Sequence, residues 1–185
     1  MSKLYVNQLA PKTAGNKILM PQGGFIQHQY TMFTGTSSIP CTTNTDTAIT
    51  NLTVNITPQS TSSVIKLEGQ IFGEWSVVQS TWDSAAFFFR NSTKLGHSGG
   101  GNRTAGVGMF STSYTNVDNG STPEGSVFMY YDTPATTSTI TYKIGILTSV
   151  AGNPTYHLNR TVVDTDTATT FERFVSLISA TEIAG

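Results

Sequence analysis

The stretch STITYKIGIL, residues 138–147, decides the fold class, because apolar residues occupy every second position from Ile140 to Ile146. In an extended chain this period of two places the apolar side chains on one side and the polar ones on the other. The stretch LTVNIT, residues 52–57, alternates in the same way. Both stretches therefore predict β-strands with one buried face.

Similar short strand signals recur along the chain, separated by turn-rich stretches such as DTPATTS and SVAGNP. This spacing is typical of an all-β sandwich, and no helix of useful length is predicted. The C-terminal window also fits helical spacing, but its β-branched and aromatic residues favour a strand. The predicted strands lie near residues 25–34, 48–57, 63–75, 83–91, 105–114, 125–132, 138–150, 155–161 and 171–183.

The composition predicts a folded protein with an uncharged, hydrogen-bonding surface. Only 11% of the 185 residues are charged, whereas the chain contains 31 Thr and 19 Ser, and the formal net charge is −1. The ten Lys and Arg residues are scattered, which argues against a nucleic-acid partner. No run of 18 apolar residues occurs, so we expect no membrane insertion.

The first 22 residues differ from the rest of the chain. Two short apolar clusters are separated by Pro11 and Gly15, and each is too small to form a core. We expect residues 1–22 to form an extended N-terminal arm and residues 23–185 to form the sandwich domain. The arm would anchor the protein to a partner through the apolar clusters Leu4, Tyr5, Val6 and Ile18, Leu19, Met20.

Apolar residues also mark two later segments. Three consecutive phenylalanines, Phe87 to Phe89, favour a strand buried on both sides, and an exposed Phe88 in a binding patch is the alternative. The chain stays apolar almost to its last residue, which raises the question of what the C-terminus packs against. The residues concerned are Phe171, Phe174, Val175, Leu177 and Ile178.

The sequence carries no signature of catalysis or metal binding. The single cysteine, Cys41, excludes an intrachain disulfide, and the three histidines lack the spacing of metal ligands. We therefore expect no enzyme activity, no metal and no cofactor.

Two polar loops with an aromatic residue, VVQSTWD at 77–83 and GHSGGGNR at 96–103, suggest a different kind of site. Aromatic rings that stack on sugars, together with polar side chains on loops, are suited to glycan binding. In the alternative interpretation, Trp82 closes the end of the sandwich and the glycines only form the turn. A third loop, 113–125, adds an aromatic residue, and the candidate glycan residues are Trp82, His97, Asn102, Arg103 and Tyr114.

The phrases YYDTPATTSTITYKIGI, TYHLNRT and SLISATEIAG, with the opening KLYVNQLAPKTAGNKILMPQG, resemble small virion proteins of marine and cyanobacterial tailed phages. Those proteins are tail-fibre or fibre-like structural components, and the group resembles the trimeric jelly-roll modules of C1q and tumour necrosis factor. The resemblance implies a jelly-roll domain in which the C-terminal strand lies beside the strand at 25–34. It also implies a homotrimer with the apolar C-terminal residues near its axis.

The expected function is therefore that of a structural virion protein, a homotrimeric fibre or fibre-like appendage. Its partners would be its own copies, other virion proteins through the arm, and a host-surface glycan. A purely architectural decoration, collar or tail adaptor protein is one alternative. A free C1q-like lectin, which would have no use for residues 1–22, is the other.

Overall fold

The chain is almost entirely β-structure in a computed structural model that describes residues 21–97, 103–110, 120–165 and 171–185. Within these ranges it forms ten strands and one short 3-10 helix. The elements are β1 (Phe25–Phe33), β2 (Ser37–Pro40), β3 (Thr47–Ile56), β4 (Val64–Trp75), the 3-10 helix (Val78–Thr81), β5 (Ser84–Arg90), β6 (Thr93–Leu95), β7 (Glu124–Asp132), β8 (Ile140–Thr148), β9 (Thr155–Leu158) and β10 (Ser176–Ile183).

The strands pair in a nested order, from the ends of the chain inwards. β1 pairs with β10, β3 with β8, β4 with β7 and β5 with β6, all antiparallel. β10 also pairs with β4, and β8 also pairs with β5, so two sheets result. Their orders are β1–β10–β4–β7 and β3–β8–β5–β6. This pairing defines an all-β jelly-roll sandwich.

Two short strands extend the first sheet. β9 pairs with Gly73–Trp75 of β4, on the same edge of β4 that pairs with β10, and β2 pairs with β9. Gly73 permits this arrangement, because a Cβ there would lie 2.8 Å from the hydroxyl oxygen of Tyr156 in β9. β9 thus takes the place of β10 beside the end of β4, and β2 takes the place of β1 beside β9.

The core lies between the two sheets and follows from the alternation along each strand. Phe88 of β5 and Phe128 of β7 face each other across the sandwich, with ring centroids 5.0 Å apart. A polar link joins the sheets at one edge, where Asp132 accepts hydrogen bonds from Arg90 Nη1 at 2.9 Å and from Tyr142 Oη at 2.7 Å. Burial, followed by the bond to Asp132, raises the pKa of Tyr142.

The fold confirms the all-β sandwich and the position of the C-terminal strand. β10 lies between β1 and β4, as the resemblance implied. Phe87 and Phe88 are fully buried, which confirms the strand covered on both sides. The strand expected at 105–114 is wrong over the described residues 105–110, which contribute only a single bridge between Gly108 and Ala86. The expected 171–183 strand begins only at Ser176.

The expected N-terminal arm falls largely outside the described residues, since residues 1–20 are not among them. The described chain begins with a turn in which Gly24 N–H donates to Pro21 O at 2.8 Å. Gly23 N–H donates to Ala184 O at 2.7 Å, and Ala184 N–H donates to Gly24 O at 2.9 Å. The entrance to the domain is thus joined to the C-terminal end of β10.

Candidate functional site

The outer side of the first sheet carries the most unusual surface of the described molecule. Alternation directs Ile65, Leu67 and Ile178 into the core, so the neighbouring residues of these strands point outwards. We call this surface the β1–β7 face. It consists of His28, Tyr30 and Met32 from β1, Leu177, Ser179 and Thr181 from β10, Lys66, Glu68 and Gln70 from β4, and Val127, Met129 and Tyr131 from β7.

The register arranges these residues in three rows across the sheet. The rows run Met32–Leu177–Gln70–Val127, Tyr30–Ser179–Glu68–Met129 and His28–Thr181–Lys66–Tyr131. Large apolar side chains therefore lie mainly on the two outer strands, and smaller or polar ones lie between them. Val127 is 74% exposed and Tyr30 is 67% exposed, although both are apolar side chains of regular strands.

Between these two apolar ridges the surface is concave. One depression of about 420 Å³ is bordered by Tyr30, Met32 and Val127, and its base includes Gln70 and Ser179. A second depression of about 430 Å³ lies beside it, towards Phe25 and Lys66. His28 and Glu68 border both depressions, so the two adjoin, and together they are called the groove.

The base of the groove is polar but internally paired. Lys66 Nζ lies 2.8 Å from Glu68 Oε1, and this hydrogen bond raises the pKa of Lys66. His28 Nδ1 lies 2.7 Å from Thr181 Oγ1, and the His28 ring stacks on Tyr30. Because Lys66 and Glu68 neutralise each other, a partner that covered the groove would contact the apolar ridges without having to compensate either charge.

The outer side of the second sheet is covered by the chain itself. Phe87 points outwards there but is 0% exposed: Lys94 Nζ lies 4.0 Å above its ring, and the Phe89 ring packs beside it with centroids 5.2 Å apart. Lys94 also forms an ion pair with Asp46 at 2.7 Å, which crosses the sheet. The two outer surfaces of the sandwich therefore differ, and among the described residues only the β1–β7 face presents rows of exposed apolar side chains.

The structure describes three of the five residues predicted for glycan binding. Trp82 is half-buried and immediately follows the 3-10 helix, while His97 and Arg103 are exposed. In the described chain, β6 pairs only with Phe88–Arg90 of β5, so Trp82 before β5 and His97 after β6 both lie on the side of this hairpin away from its turn. Asn102 and Tyr114 lie outside the described residues, and the glycan site stays a prediction.

The residues expected at a trimer core have different positions. Leu177 lies on the β1–β7 face, whereas Ile178 is fully buried inside its own sandwich. Phe174 and Val175 precede β10 and are partly exposed, and Phe174 stacks on Phe72 with ring centroids 5.0 Å apart. Phe171 is half-buried. The six anchoring residues between Leu4 and Met20 lie outside the described residues.

Apart from Lys66, the groups with shifted pKa values lie away from the β1–β7 face. Burial raises the pKa of the Cys41 thiol to about 11, so the reactive thiolate is disfavoured at neutral pH. Burial, followed by the charge of Arg160, lowers the pKa of His157. Arg160 Nη2 lies 2.7 Å from His157 Nδ1 and 2.8 Å from Ser38 Oγ. The burial of Cys41 and the contact between His157 and Arg160 assign both residues a structural role.

Across the described ranges, no group of three or more His, Cys, Asp or Glu side chains could hold a metal ion. In the same part of the chain, no helix has the length and hydropathy that a membrane crossing requires.

No protein-family model matches this chain, and no curated protein matches it significantly. The molecule is therefore classed by its structure, as an all-β jelly-roll sandwich in which the described residues of one sheet present exposed apolar side chains on its outer side. Sequence interpretation missed the residues that distinguish this sheet, above all Tyr30, Met32 and Val127. The segment SVFMYY, residues 126–131, carried a signal, because its apolar residues occupy both parities and one set must face away from the core.

Proposed function

We propose that this protein is a structural virion subunit of a tailed phage, which assembles as a homotrimer into a fibre or fibre-like appendage. The uncovered β1–β7 face carries the proposal. A chain whose described residues cover the outer side of one sheet but expose rows of Tyr, Met and Val on the other has a surface suited to association. The homotrimeric state and the location in a virion are proposed from the resemblance to fibre-like phage proteins.

Burial of this face would be favourable for a simple reason. Each square ångström of apolar surface removed from water contributes roughly 25 cal/mol. The apolar ridges of β1 and β7 provide the apolar surface to be buried. Lys66 and Glu68 already neutralise each other within the chain. Copies of the chain are the expected occupants, because the resemblance implies self-association.

The oligomeric state tests this proposal directly. We expect light scattering of the full-length protein to give a mass near three chains. Met129→Lys places a charge on the β1–β7 face and should yield a folded monomer, because an unpaired ammonium group is costly to desolvate. Met109→Lys is the matched control, since Met109 is 61% exposed and lies off the face; it should remain trimeric.

A wild-type monomer, or a Met129→Lys variant that assembles as well as Met109→Lys, would refute assembly through this face. The virion part of the proposal requires a separate test. A chain that lacks residues 1–20 should still assemble in solution but should no longer be incorporated into phage particles. Normal incorporation of this shortened chain would contradict anchoring by the arm.

A further inference from the structure

We propose that His28 makes assembly through the β1–β7 face dependent on pH, so that the assembled form is favoured at neutral pH and weakened in acid. This inference rests on the proposed function, because it requires the face to be covered by other copies. It concerns the regulation of that contact.

His28 occupies a central position in the groove. It borders both depressions. Phe25 lines one of them, and Met32 and Val127 line the other. Its Nδ1 atom lies 2.7 Å from Thr181 Oγ1, and its ring centroid lies 6.0 Å from that of Tyr30 with 27° between the planes. These contacts hold the imidazole against the sheet, so a partner that closed the groove would separate the ring from bulk water.

The charges that face this ring come from one strand. β4 contributes Lys66 and Glu68, which are paired at 2.8 Å. β1 contributes the Tyr30 phenol, and β7 contributes the Tyr131 phenol at the far end of the row that contains His28. The Thr181 hydroxyl is the facing group of β10, because Glu182 points inwards and accepts hydrogen bonds from Gln27 and Ser63.

Among the described residues that line the groove, Glu68 is the one carboxylate, and Lys66 already neutralises it. An imidazolium at His28 would therefore be buried without a free counter-charge when the groove closes. Burial of an uncompensated charge is strongly unfavourable, whereas a neutral imidazole is tolerated. Histidine normally changes its charge between pH 5 and 8. Protonation of His28 should consequently oppose closure of the face.

The test uses the full-length protein and measures its mass by light scattering over a concentration series at pH 7.5 and pH 5.0. For the wild type we expect the concentration of half-dissociation to rise at least about tenfold at the lower pH. His28→Gln retains a polar group near Thr181 but cannot be protonated, so its half-dissociation concentration should change by about twofold or less. His157→Gln alters another histidine outside the groove and should behave like the wild type.

Circular dichroism at both pH values separates dissociation from unfolding. Dissociation in acid that His28→Gln shares with the wild type would overturn the role of His28. A wild-type assembly of equal strength at both pH values would overturn the switch and leave the proposed function intact. A monomer at both pH values would instead overturn the proposed function, and the switch with it.

Discussion

Asn159 shows how much of the fold depends on single buried polar side chains. Its amide nitrogen donates to Phe33 O at 2.7 Å and to Gly35 O at 2.8 Å, and its amide oxygen accepts from Ser176 Oγ at 2.6 Å. Its backbone N–H donates to Phe72 O at 2.8 Å, and its φ is +62°. One fully buried residue in the left-handed region thus fixes the end of β1, the end of β4 and the start of β10.

We expect Asn159→Ala to lower the free energy of unfolding by roughly 3 kcal/mol, because it leaves buried polar groups without partners. Alanine also tolerates a positive φ poorly, whereas glycine adopts a positive φ as readily as a negative one. Asn159→Gly should therefore cost less than Asn159→Ala. Urea denaturation of both variants measures the two effects.

Asn51→Ala is the control for Asn159, since Asn51 is an exposed asparagine of β3. We expect it to change the free energy of unfolding by no more than about 0.5 kcal/mol. If Asn159→Ala cost no more than Asn51→Ala, the hydrogen bonds of Asn159 would contribute little to stability.

At the scale of the strands, β5 and β8 show how side chains cover the second sheet. Gly145 of β8 lies opposite Phe87 of β5, and the rings of Phe87 and Phe89 lie over the space where a side chain would be. A Cβ at Gly145 would lie 2.6 Å from Phe89 Cε2 and 2.8 Å from Phe87 Cζ. The glycine allows the two rings to approach the sheet closely, in an edge-to-face pair with 75° between their planes, and the Lys94 ammonium group lies over the Phe87 ring.

Gly145→Ala should destabilise the protein by about 1–3 kcal/mol, because the methyl group would force the two phenyl rings apart. Phe87→Leu provides space for that methyl group. In the double variant the two losses should therefore be less than additive, by at least about 0.5 kcal/mol in a double-mutant cycle. Strictly additive losses in thermal or urea unfolding would contradict this packing.

The strands also show which features the sequence predicts and which it does not. β3 and β8 were predictable because Leu52, Val54 and Ile56 alternate with polar residues, and the structure buries all three. β2 contains four residues and β6 contains three, so both are too short to show a clear alternation of apolar and polar residues. The expected 105–114 strand fails at residues 105–110, where Val107 and Gly108 both donate to Ala86 O.

The β1–β7 face could not be located from periodicity alone. In SVFMYY, residues 126–131, both parities are apolar, so alternation does not determine which set faces the core. The register with β4 decides it, because Phe128 pairs with Gly69, where a Cβ would meet the ring of Phe128 at 2.8 Å. Phe128 therefore turns inwards, and Val127 and Met129 turn outwards.

At the scale of the whole molecule, the nested pairing makes both ends of the chain essential to one sheet. β10 separates β1 from β4, and each of its residues from Leu177 to Ile183 has a register partner on β4. The last residues also hold the entrance of the domain through Ala184 and Gly23. The apolar C-terminus thus packs mainly against its own chain, and Leu177 is its contribution to the β1–β7 face.

A chain that ends at Ser176 should not fold, because β1 and β4 would lose their common partner and the core would lose Ile178 and Ala180. Circular dichroism and thermal unfolding should show no cooperative transition. A chain that ends at Ile183 keeps all of β10 and is the control, which should unfold cooperatively. A cooperative transition in the chain that ends at Ser176 would mean that β10 is dispensable.

The position of β10 has a consequence for biosynthesis. β1 leaves the ribosome long before its partner in the sheet, because β1 ends at Phe33 and β10 begins at Ser176. At about 5–20 residues per second, β1 waits on the order of ten seconds for β10. The first sheet can therefore be completed only after β10 has been translated. Since the β1–β7 face spans β1, β10, β4 and β7, a chain whose translation stops before β10 cannot form this face and should not assemble through it.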